Sequence, residues 1–390
     1  MNVLSKPVVQ DTNGLTIPAG SLFQTSAGRK PTLPSLTGIR FFAAFYVVLF
    51  HALPFLSSRF HLPLFFRIFL SNGSLAVGFF FVLSGFILTY TYSAKLGSST
   101  TLWTFWQSRF ARVYPVYFLS LLLAYPFQMH VGLGQRLAVL CMVQAWNPFA
   151  PDLAGAWNYP AWSLSVEAFF YFSFPFALPW FSKLSRSALL FTTAVLLVIS
   201  SLGHTITQVL GNVNHSSGLG RLLPLPLIRI PEFLVGMALG QFFLRSRPAH
   251  RPLRVYVCLA TTLLLLSSPI GFWVSVVIVP FALLTYDLAY SQDPVARLLS
   301  TRIMLLLGGA SYGIYLLQYP VRAWMRVLFS MAPANLWTLG QILTPIILIL
   351  FSIVVFRFWE ERWRRALRRW FARADSGSMP RGIAQSPALD

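Results

Sequence analysis

A few ionisable side chains lie inside long apolar runs of this sequence, where a charge is costly. Placing such a side chain at the centre of a bilayer costs about 2.5–3.5 kcal/mol on insertion scales, so each one is a functional candidate. They are His51, Glu167, Arg229, Glu232 and Asp287. Asp287 lies near the end of its run, which favours a structural role. His51 alone of the five exchanges protons near neutral pH without any perturbation, which predicts a general base or a nucleophile.

Arg40 precedes His51 by eleven residues in the first apolar run. On an α-helix this spacing leaves the two side chains only about 20° apart around the axis and about 16 Å apart along it. One face of the first helix therefore carries a fixed cation at its entrance and a proton-exchanging group deeper in the membrane. This pairing predicts that Arg40 and His51 act in one site.

Polar side chains from several runs are predicted at similar depth. Counting about 1.5 Å per residue places them in one layer of the outer half of the bilayer. The layer comprises His51, Ser84, Glu167, Arg229, Glu232 and Gln318. It predicts the wall of a central cavity, with Glu167 or Glu232 orienting the imidazole of His51.

Arg109 and Arg112 lie three residues apart at the start of the third apolar run. This spacing places both on one helical face. Guanidinium groups suit phosphate oxygens, so the pair is a candidate clamp for a phosphorylated donor. The bias of basic residues toward the inner side of a membrane also predicts Arg at this position.

Structural roles are open for the other candidates. Arg229 and Glu232 are three residues apart and can simply neutralise each other. Glu167 follows a predicted helix start, where the helix dipole stabilises a carboxylate. The small pair Ser84-Gly85 can let two helices approach closely.

The composition excludes an ordinary soluble domain. Hydrophobic residues make up 56% of the 390 positions and charged residues 10%, with a mean hydropathy of +0.65, against about 25% charged residues in soluble domains. Thirty Lys and Arg against ten Asp and Glu indicate contact with anionic headgroups rather than nucleic acid, because the basic residues lie between apolar runs. Cys141 and Cys258 are isolated in apolar surroundings and predict neither a disulfide nor a metal site.

The apolar runs predict an all-α integral membrane protein with about ten transmembrane helices in one bundle around a central cavity. The predicted spans are 39–57, 73–92, 113–130, 162–182, 187–205, 224–244, 253–270, 272–290, 303–320 and 338–357. The short stretch 133–147 is expected to be interfacial or re-entrant. With both termini in the cytoplasm, most Lys and Arg fall on the inner side, as the positive-inside rule requires.

These spans divide the chain into three parts. Residues 1–38 are rich in Ser, Thr, Pro and Gly and are expected to form a disordered cytoplasmic arm. Residues 39–358 form the transmembrane domain, and residues 359–390 form a basic cytoplasmic tail.

Several short motifs resemble those of a known family, the bacterial membrane acyltransferase family 3, which includes O-antigen and exopolysaccharide acetyltransferases. They follow the order of the family and cover roughly residues 35–360. The matching strings are Leu36-Thr37-Gly38-Ile39-Arg40 with His51, Phe79-Phe80-Phe81-Val82-Leu83-Ser84-Gly85-Phe86, Arg109-x-x-Arg112 with Tyr114-Pro115, Trp162-Ser163-Leu164-Ser165-Val166-Glu167 with Tyr171, Arg229-Ile230-Pro231-Glu232-Phe233 with Gly236-Met237, and Ser311-Tyr312-Gly313-Ile314-Tyr315-Leu316.

The resemblance implies ten spans, an acyl-CoA donor taken from the cytoplasm and an acceptor on the far side. It also implies essential roles for Arg40 and His51 and contacts from Arg109 and Arg112 to the CoA phosphates. Many relatives end the last motif with His before Pro, where this chain has Gln318-Tyr319-Pro320, so no catalytic role passes to Gln318. Many also carry a second acidic residue after the Glu of the fourth motif, where this chain has Ala168.

Together these observations predict an O-acyltransferase of the bacterial inner membrane. It would move an acyl group, acetyl being the expected one, from acyl-CoA to a hydroxyl of an envelope or exported carbohydrate, with no permanently bound cofactor or metal. Polysaccharide-synthesis machinery is a candidate partner. The expected catalytic residues are His51, Arg40 and Glu167, the donor is expected on Arg109 and Arg112, and the substrate cavity is expected to include Ser84, Trp162, Arg229, Glu232, Tyr312 and Gln318.

Two other classes of protein remain open. A transporter or flippase could use the same buried residues as a proton relay or substrate site, although no internal repeat is evident in the sequence. A non-catalytic scaffold would leave His51 and Arg40 dispensable for acyl transfer.

Overall fold

The computed structural model describes residues 8–10, 16–18, 31–95, 99–213, 223–246, 252–269 and 275–377. Two short strands in the N-terminal arm, Val8–Gln10 (β1) and Thr16–Pro18 (β2), pair as an antiparallel hairpin. At these six residues the arm differs from the disordered segment that its composition predicts. The other residues of the arm up to residue 30 lie outside the described residues.

The rest of the described chain is helical. The helices are α1 Pro34–Arg59, α2 Leu64–Ser71, α3 Ala76–Tyr92, α4 Ser99–Ala124, α5 Leu133–Leu140, α6 Trp162–Lys183, α7 Arg186–Val213, α8 Leu225–Arg245, α9 Pro252–Leu266, α10 Ile278–Leu288, α11 Pro294–Leu299, α12 Arg302–Leu328, α13 Ala334–Val354 and α14 Glu361–Gly377. Short 3₁₀ turns at Gly73–Leu75, Tyr125–Phe127, Pro151–Gly155 and Tyr159–Ala161 connect several of them. The predicted fold class, an all-α membrane bundle, is confirmed.

Seven stretches of helix are long and apolar enough to cross a membrane, so the chain is a multi-pass membrane protein. They are Pro34–Arg59, Leu64–Tyr92, Leu102–Phe127, Tyr159–Lys183, Arg186–Gly203, Leu225–Arg245 and Ala334–Ala374. Each of the ten predicted spans overlaps a helix, but α9 and α10 are shorter, and the count of ten stays a prediction. The stretch 133–147 holds only the eight-residue helix α5, which is too short to cross a bilayer.

Glycines allow the helices around the site to pack backbone against backbone. A methyl group on Gly85 of α3 would lie 2.0 Å from the backbone oxygen of Phe233 on α8, and one on Gly236 would lie equally close to the oxygen of Val82. Gly308 of α12 meets the backbone of α1 in the same way. The Ser84-Gly85 pair therefore does let two helices approach closely, as one reading of the sequence proposed.

The C-terminal part continues α13 without interruption. A π-helical segment, Val355–Glu360, joins α13 to α14. Trp359 Nε1 donates a hydrogen bond to the backbone oxygen of Pro115 at 2.9 Å, and the ring of Phe371 contacts that of Phe110 with centroids 6.4 Å apart. Up to residue 377, where the described residues end, the basic tail predicted from residue 359 is thus helical and packs along α4.

The segment between α5 and α6 is pinned into the bundle. Trp157 Nε1 donates to the oxygen of Leu121 at 2.9 Å, and the buried Asn158 Nδ2 donates to the oxygen of Leu316 at 3.1 Å. Trp157 has a φ of 65°, which a bulky residue adopts only when its surroundings hold it there. These contacts fix the 3₁₀ turn that follows and present Tyr159 to the first helix.

Candidate active site

A cavity of about 220 Å³ lies between α1, α3, α4, α6 and α12. Its wall combines apolar side chains of α3 with polar side chains from the other four helices. Predicted site residues on this wall are Arg40, Ser84, Arg109, Arg112, Glu167 and Tyr312. The structure thus brings motif residues from five helices together at one cavity.

Three arginines form one end of the cavity, which we name the arginine mouth (Arg40, Arg109 and Arg112). Arg40 makes no hydrogen bond with any described residue, although it interacts electrostatically with Glu167. Arg109 donates to the hydroxyl of Tyr92 at 3.2 Å and lies 5.5 Å from the centroid of its ring. Within the described part of the chain, neither Arg40 nor Arg109 forms a salt bridge with a carboxylate, so both guanidinium groups are available to an anionic ligand.

Arg112 is held differently. It forms an ion pair with Glu360, whose side chain is only 1% exposed. Glu360 is the last residue of the π-helical segment that joins α13 to α14. Because a π-helical turn changes which face a helix presents, this segment determines where Glu360 points. The C-terminal region therefore orients one of the two predicted donor-binding arginines.

Glu167 belongs to the arginine mouth rather than to the imidazole. Its Oε1 accepts hydrogen bonds from Ser84 Oγ at 3.0 Å and from the Tyr171 hydroxyl at 2.5 Å, and its charge acts on Arg40. The prediction that Glu167 or Glu232 orients His51 is not what the structure shows. Depth along a helix does not determine which neighbouring helix a side chain faces.

His51 is oriented by its own helix. Its Nδ1 lies 2.9 Å from the backbone oxygen of Val47. A carbonyl oxygen only accepts, so this contact places the hydrogen of a neutral imidazole on Nδ1 and leaves the lone pair on Nε2. Nε2 is buried and has no hydrogen-bond partner among the residues that the structure describes. Phe50 and Tyr159 pack edge-on against the ring, with centroids 4.8 and 6.0 Å away.

α12 brings two further side chains to this place. Gln318 lies beside the imidazole, and its Nε2 donates to the oxygen of Tyr315 at 2.7 Å. Gln318 Oε1 is buried and has no donor at normal hydrogen-bond geometry in the described part of the chain, although Gln318 is close enough to act on the protonated imidazole. Arg322 donates from Nη1 to the backbone oxygen of His51 at 2.6 Å. We name His51, Gln318 and Tyr159 the imidazole end; it presents two buried acceptors that lack a donor.

The imidazole end lies beyond the residues that line the cavity. His51 and Gln318 do not line the cavity, which ends at Phe80, Ser163 and Tyr315. The Tyr315 hydroxyl lies 2.8 Å from Ser163 Oγ and 3.1 Å from the oxygen of Pro160. Tyr315 is one turn before Gln318, and Pro160 directly follows Tyr159. The predicted continuous layer is therefore divided by this polar contact.

The other predicted cavity residues lie behind the wall. Arg229 Nη2 pairs with Glu232 Oε2 at 3.0 Å, and its guanidinium lies 5.4 Å from the ring centroid of Phe81. Trp162 packs edge-on against the same ring at 6.5 Å. None of these three predicted residues is on the cavity wall. The mutual neutralisation of Arg229 and Glu232, which the sequence left open, is what the structure shows.

Some residues of the site were not among those predicted from the sequence. Tyr171 lies one helical turn after Glu167, and that spacing was a usable signal. Tyr315 was visible only as part of a motif. Glu360 reaches Arg112 from near the end of the helical region, and no local pattern in the sequence indicates that contact.

Comparisons with known proteins place this geometry in a family. Residues 33–357 match the model of a family described as acyltransferase domain. A stretch of 160 residues is 37% identical to Acyltransferase MdmB of Streptomyces mycarofaciens and covers 37% of this chain and 38% of that protein. A stretch of 89 residues is 42% identical to Protein 2 in picA locus of Rhizobium radiobacter and covers 23% of this chain and 41% of that protein.

These alignments thus span well under half the length of each curated relative. No solved structure matches the chain. The family model, by contrast, extends over most of the chain and includes the cavity, the arginine mouth and the imidazole end. The chain carries an acyltransferase domain over residues 33–357 and belongs to acyltransferase family 3.

Proposed function

We propose that this protein is an O-acyltransferase that moves an acyl group, acetyl first of all, from acyl-CoA to a hydroxyl of an envelope or exported carbohydrate. One observation carries the proposal. A cavity is lined by guanidinium groups at one end, and beyond Tyr315 and Ser163 at its other end lies an imidazole whose Nε2 has no hydrogen-bond partner among the described residues.

The arginine mouth suits the nucleotide end of the donor. Arg40 and Arg109 have no salt bridge to a carboxylate among the described residues, and guanidinium groups bind phosphate oxygens in a planar, bidentate manner. Glu167 accepts hydrogen bonds from Ser84 and Tyr171 and offsets part of the positive charge. In this arrangement Arg40 acts on the donor, and Glu167 positions the groups around Arg40.

The pantetheine arm would cross the cavity toward His51. Arg40 and His51 lie on the same helix, about 16 Å apart along its axis. A flexible thioester arm spans such a distance. The contact between Tyr315 and Ser163 must open for the thioester to reach the imidazole end, since His51 does not line the cavity.

The imidazole end suits an acceptor with hydroxyl groups. Two buried acceptor atoms, His51 Nε2 and Gln318 Oε1, have no hydrogen-bond donor in the described ranges of the chain, and a buried unsatisfied acceptor is costly unless a ligand supplies a donor. A carbohydrate with adjacent hydroxyls offers one to each. In this arrangement Gln318 binds and orients the acceptor but carries no proton.

In the proposed transfer step, the bonds formed and broken and the proton balance. His51 Nε2 takes the proton of the acceptor hydroxyl as that oxygen attacks the thioester carbonyl. The new carbon–oxygen bond forms, the carbon–sulfur bond breaks, and the CoA sulfur receives the proton from His51. The hydrogen bond from Nδ1 to the oxygen of Val47 keeps the lone pair on Nε2, which both a general base and an acyl-carrying nucleophile require.

The donor's location determines the proposed orientation. Acyl-CoA is a cytoplasmic metabolite, so the arginine mouth and both termini would face the cytoplasm of a bacterium and the imidazole end would face outward. The excess of basic residues on that side agrees with this orientation. Acceptor carbohydrates assembled at the inner membrane would then be acylated as they are exported, in contact with the machinery that makes them.

Purified protein in lipid nanodiscs tests the activity directly. Release of free CoA from acetyl-CoA is measured with and without envelope carbohydrate, in the absence of any ion gradient. We expect acceptor-dependent release by the wild type and loss of release by His51→Ala. A transporter would consume no acetyl-CoA, and a scaffold would show no difference between the two proteins. Mass analysis of envelope glycans from cells with and without the protein identifies the acceptor.

A further inference from the structure

The C-terminal helix α14 brings two additional arginines to the arginine mouth. Arg364 interacts electrostatically with Arg112, and Arg368 interacts with both Arg364 and Arg109. Two anchors fix this position: the ion pair between Arg112 and Glu360 directly before α14, and the ring contact of Phe371 within it. Arg364 and Arg368 are four residues apart, so they lie on the same side of the helix.

The charges at this end do not balance. Arg40, Arg109 and Arg112 line the cavity, and the charges of Arg364 and Arg368 act on two of these three arginines. The carboxylates that interact with the three lining arginines are Glu167 and Glu360. Glu360 is committed to Arg112. In the described part of the chain, Arg364 and Arg368 have no salt bridge to a carboxylate. Like charges held this close repel each other, and a ligand with several negative charges would relieve that repulsion.

The same helix carries a second pair of arginines with different contacts. Arg365 and Arg369 have the same spacing and donate from Nε to the backbone oxygens of Glu361 and Arg365 one turn earlier, at 3.2 and 3.3 Å. Both are exposed, as Arg368 is, and neither is a main electrostatic neighbour of Arg112. Positive-inside anchoring explains all four arginines equally, but Arg364 and Arg368 are the two whose charges act on Arg112 and Arg109.

We propose that Arg364 and Arg368 complete a polyphosphate-binding site with Arg109 and Arg112, and that α14 is the outer wall of this site. The ligand class is an organic phosphate with several anionic groups. This inference rests on the proposed function, in which that ligand is the nucleotide end of acyl-CoA. The phosphate groups of anionic lipids share this chemistry and are the competing source.

Equilibrium binding of CoA to the full-length protein in nanodiscs tests the site. The proteins compared are the wild type, Arg364→Ala/Arg368→Ala and the matched pair Arg365→Ala/Arg369→Ala. Each is measured in neutral phosphatidylcholine and in bilayers containing phosphatidylglycerol. We expect the first double variant to weaken CoA binding in both bilayers by roughly ten- to a hundredfold, the effect of losing charged hydrogen bonds. The matched pair should bind as the wild type does.

S-acetylpantetheine, which lacks the nucleotide and its phosphates, provides the structural control. It should react equally well with the wild type and with the first double variant. A variant that loses both ligands alike, or that binds CoA as tightly as the wild type, contradicts the site. Weakening in anionic bilayers alone would assign the arginines to lipid headgroups and overturn the donor assignment. Wild-type protein that binds CoA through these arginines yet never releases CoA from acetyl-CoA would reject the proposed function and leave the site standing.

Discussion

The arginine mouth and the imidazole end of this bundle have opposite needs. At the arginine mouth, Arg40 and Arg109 are cations with no salt bridge to a carboxylate among the described residues. At the imidazole end, no described residue donates a hydrogen bond of normal geometry to His51 Nε2 or Gln318 Oε1. The arginine mouth therefore suits an anionic ligand, and the imidazole end suits a ligand with hydroxyl groups. Two substrates of different chemistry, one bound at each end, would meet both requirements.

A third group shows that a buried charge alone does not mark a site. Arg229 and Glu232 are both buried, but they neutralise each other at 3.0 Å. Their helix, α8, packs against α3 through glycines. We therefore expect this pair to stabilise the fold, whereas the two ends of the cavity bind ligands.

The largest expected effect is at the imidazole end. His51→Ala should lower acyl transfer by about 10²–10⁴-fold, the usual contribution of a general base. The dissociation constant for CoA should not change, because the donor's nucleotide is bound at the other end. CoA release and CoA binding are measured on the same preparation. His61→Ala, in the exposed turn after the same helix, is the control and should transfer normally.

The next effect is at the arginine mouth. Arg40→Met should raise the KM for acetyl-CoA by roughly 10–100-fold, because it removes charged hydrogen bonds to phosphate. The KM for the acceptor should stay constant. Arg59→Met removes a guanidinium from the other end of α1, where it lies 5.8 Å from the ring of Trp337, and should leave both values unchanged. An Arg40 variant whose KM rises mainly for the acceptor would contradict the division of the site into a donor end and an acceptor end.

A smaller effect is expected from Gln318→Leu, which removes an acceptor at similar volume. The KM for the carbohydrate should rise by about tenfold, since a hydroxyl of the acceptor loses its partner. CoA binding measured in parallel should be unaffected. If the donor constant changes and the acceptor constant does not, Gln318 belongs to the donor path.

The smallest effect is expected from Tyr171→Phe. It removes one of the two hydrogen bonds to Glu167, and because Glu167 acts on the donor only through its neighbours, the KM for acetyl-CoA should rise only a few-fold. Tyr319→Phe, whose hydroxyl instead accepts from Gln128, is the control. A loss of transfer as large as that of His51→Ala would show that Tyr171 takes part in the chemistry.

The sequence predicted the features that depend on residues close together in the chain. Apolar runs predicted where the helices lie, and the motifs brought Arg40, Ser84, Arg109, Arg112, Glu167 and Tyr312 to one cavity. Spacing along a single helix correctly put Arg40 and His51 at different heights. These predictions depend only on helical geometry and on the cost of placing charge in a membrane.

Contacts between distant parts of the chain could not be predicted in the same way. The position of each residue along its helix predicted that Glu167 lies beside His51, but Glu167 accepts its hydrogen bonds from Ser84 and Tyr171. The contact of Tyr315 with Ser163 divides a layer that looked continuous. The ion pair of Arg112 with Glu360 depends on a π-helical segment. Each of these contacts depends on how a helix is rotated and packed against its neighbours, which the spacing of residues in the sequence does not show.

The most direct test of the two-ended site uses membrane vesicles of opposite orientation from cells that make the protein. Acetyl-CoA with a labelled acetyl group is added outside right-side-out or inverted vesicles, and label in envelope carbohydrate is measured. The two-ended site predicts labelling only when acetyl-CoA reaches the face that carries Arg109, with the acetylated carbohydrate on the opposite face and none formed by His51→Ala. Equal labelling from both faces, or acetylated product on the donor's own side, would contradict it.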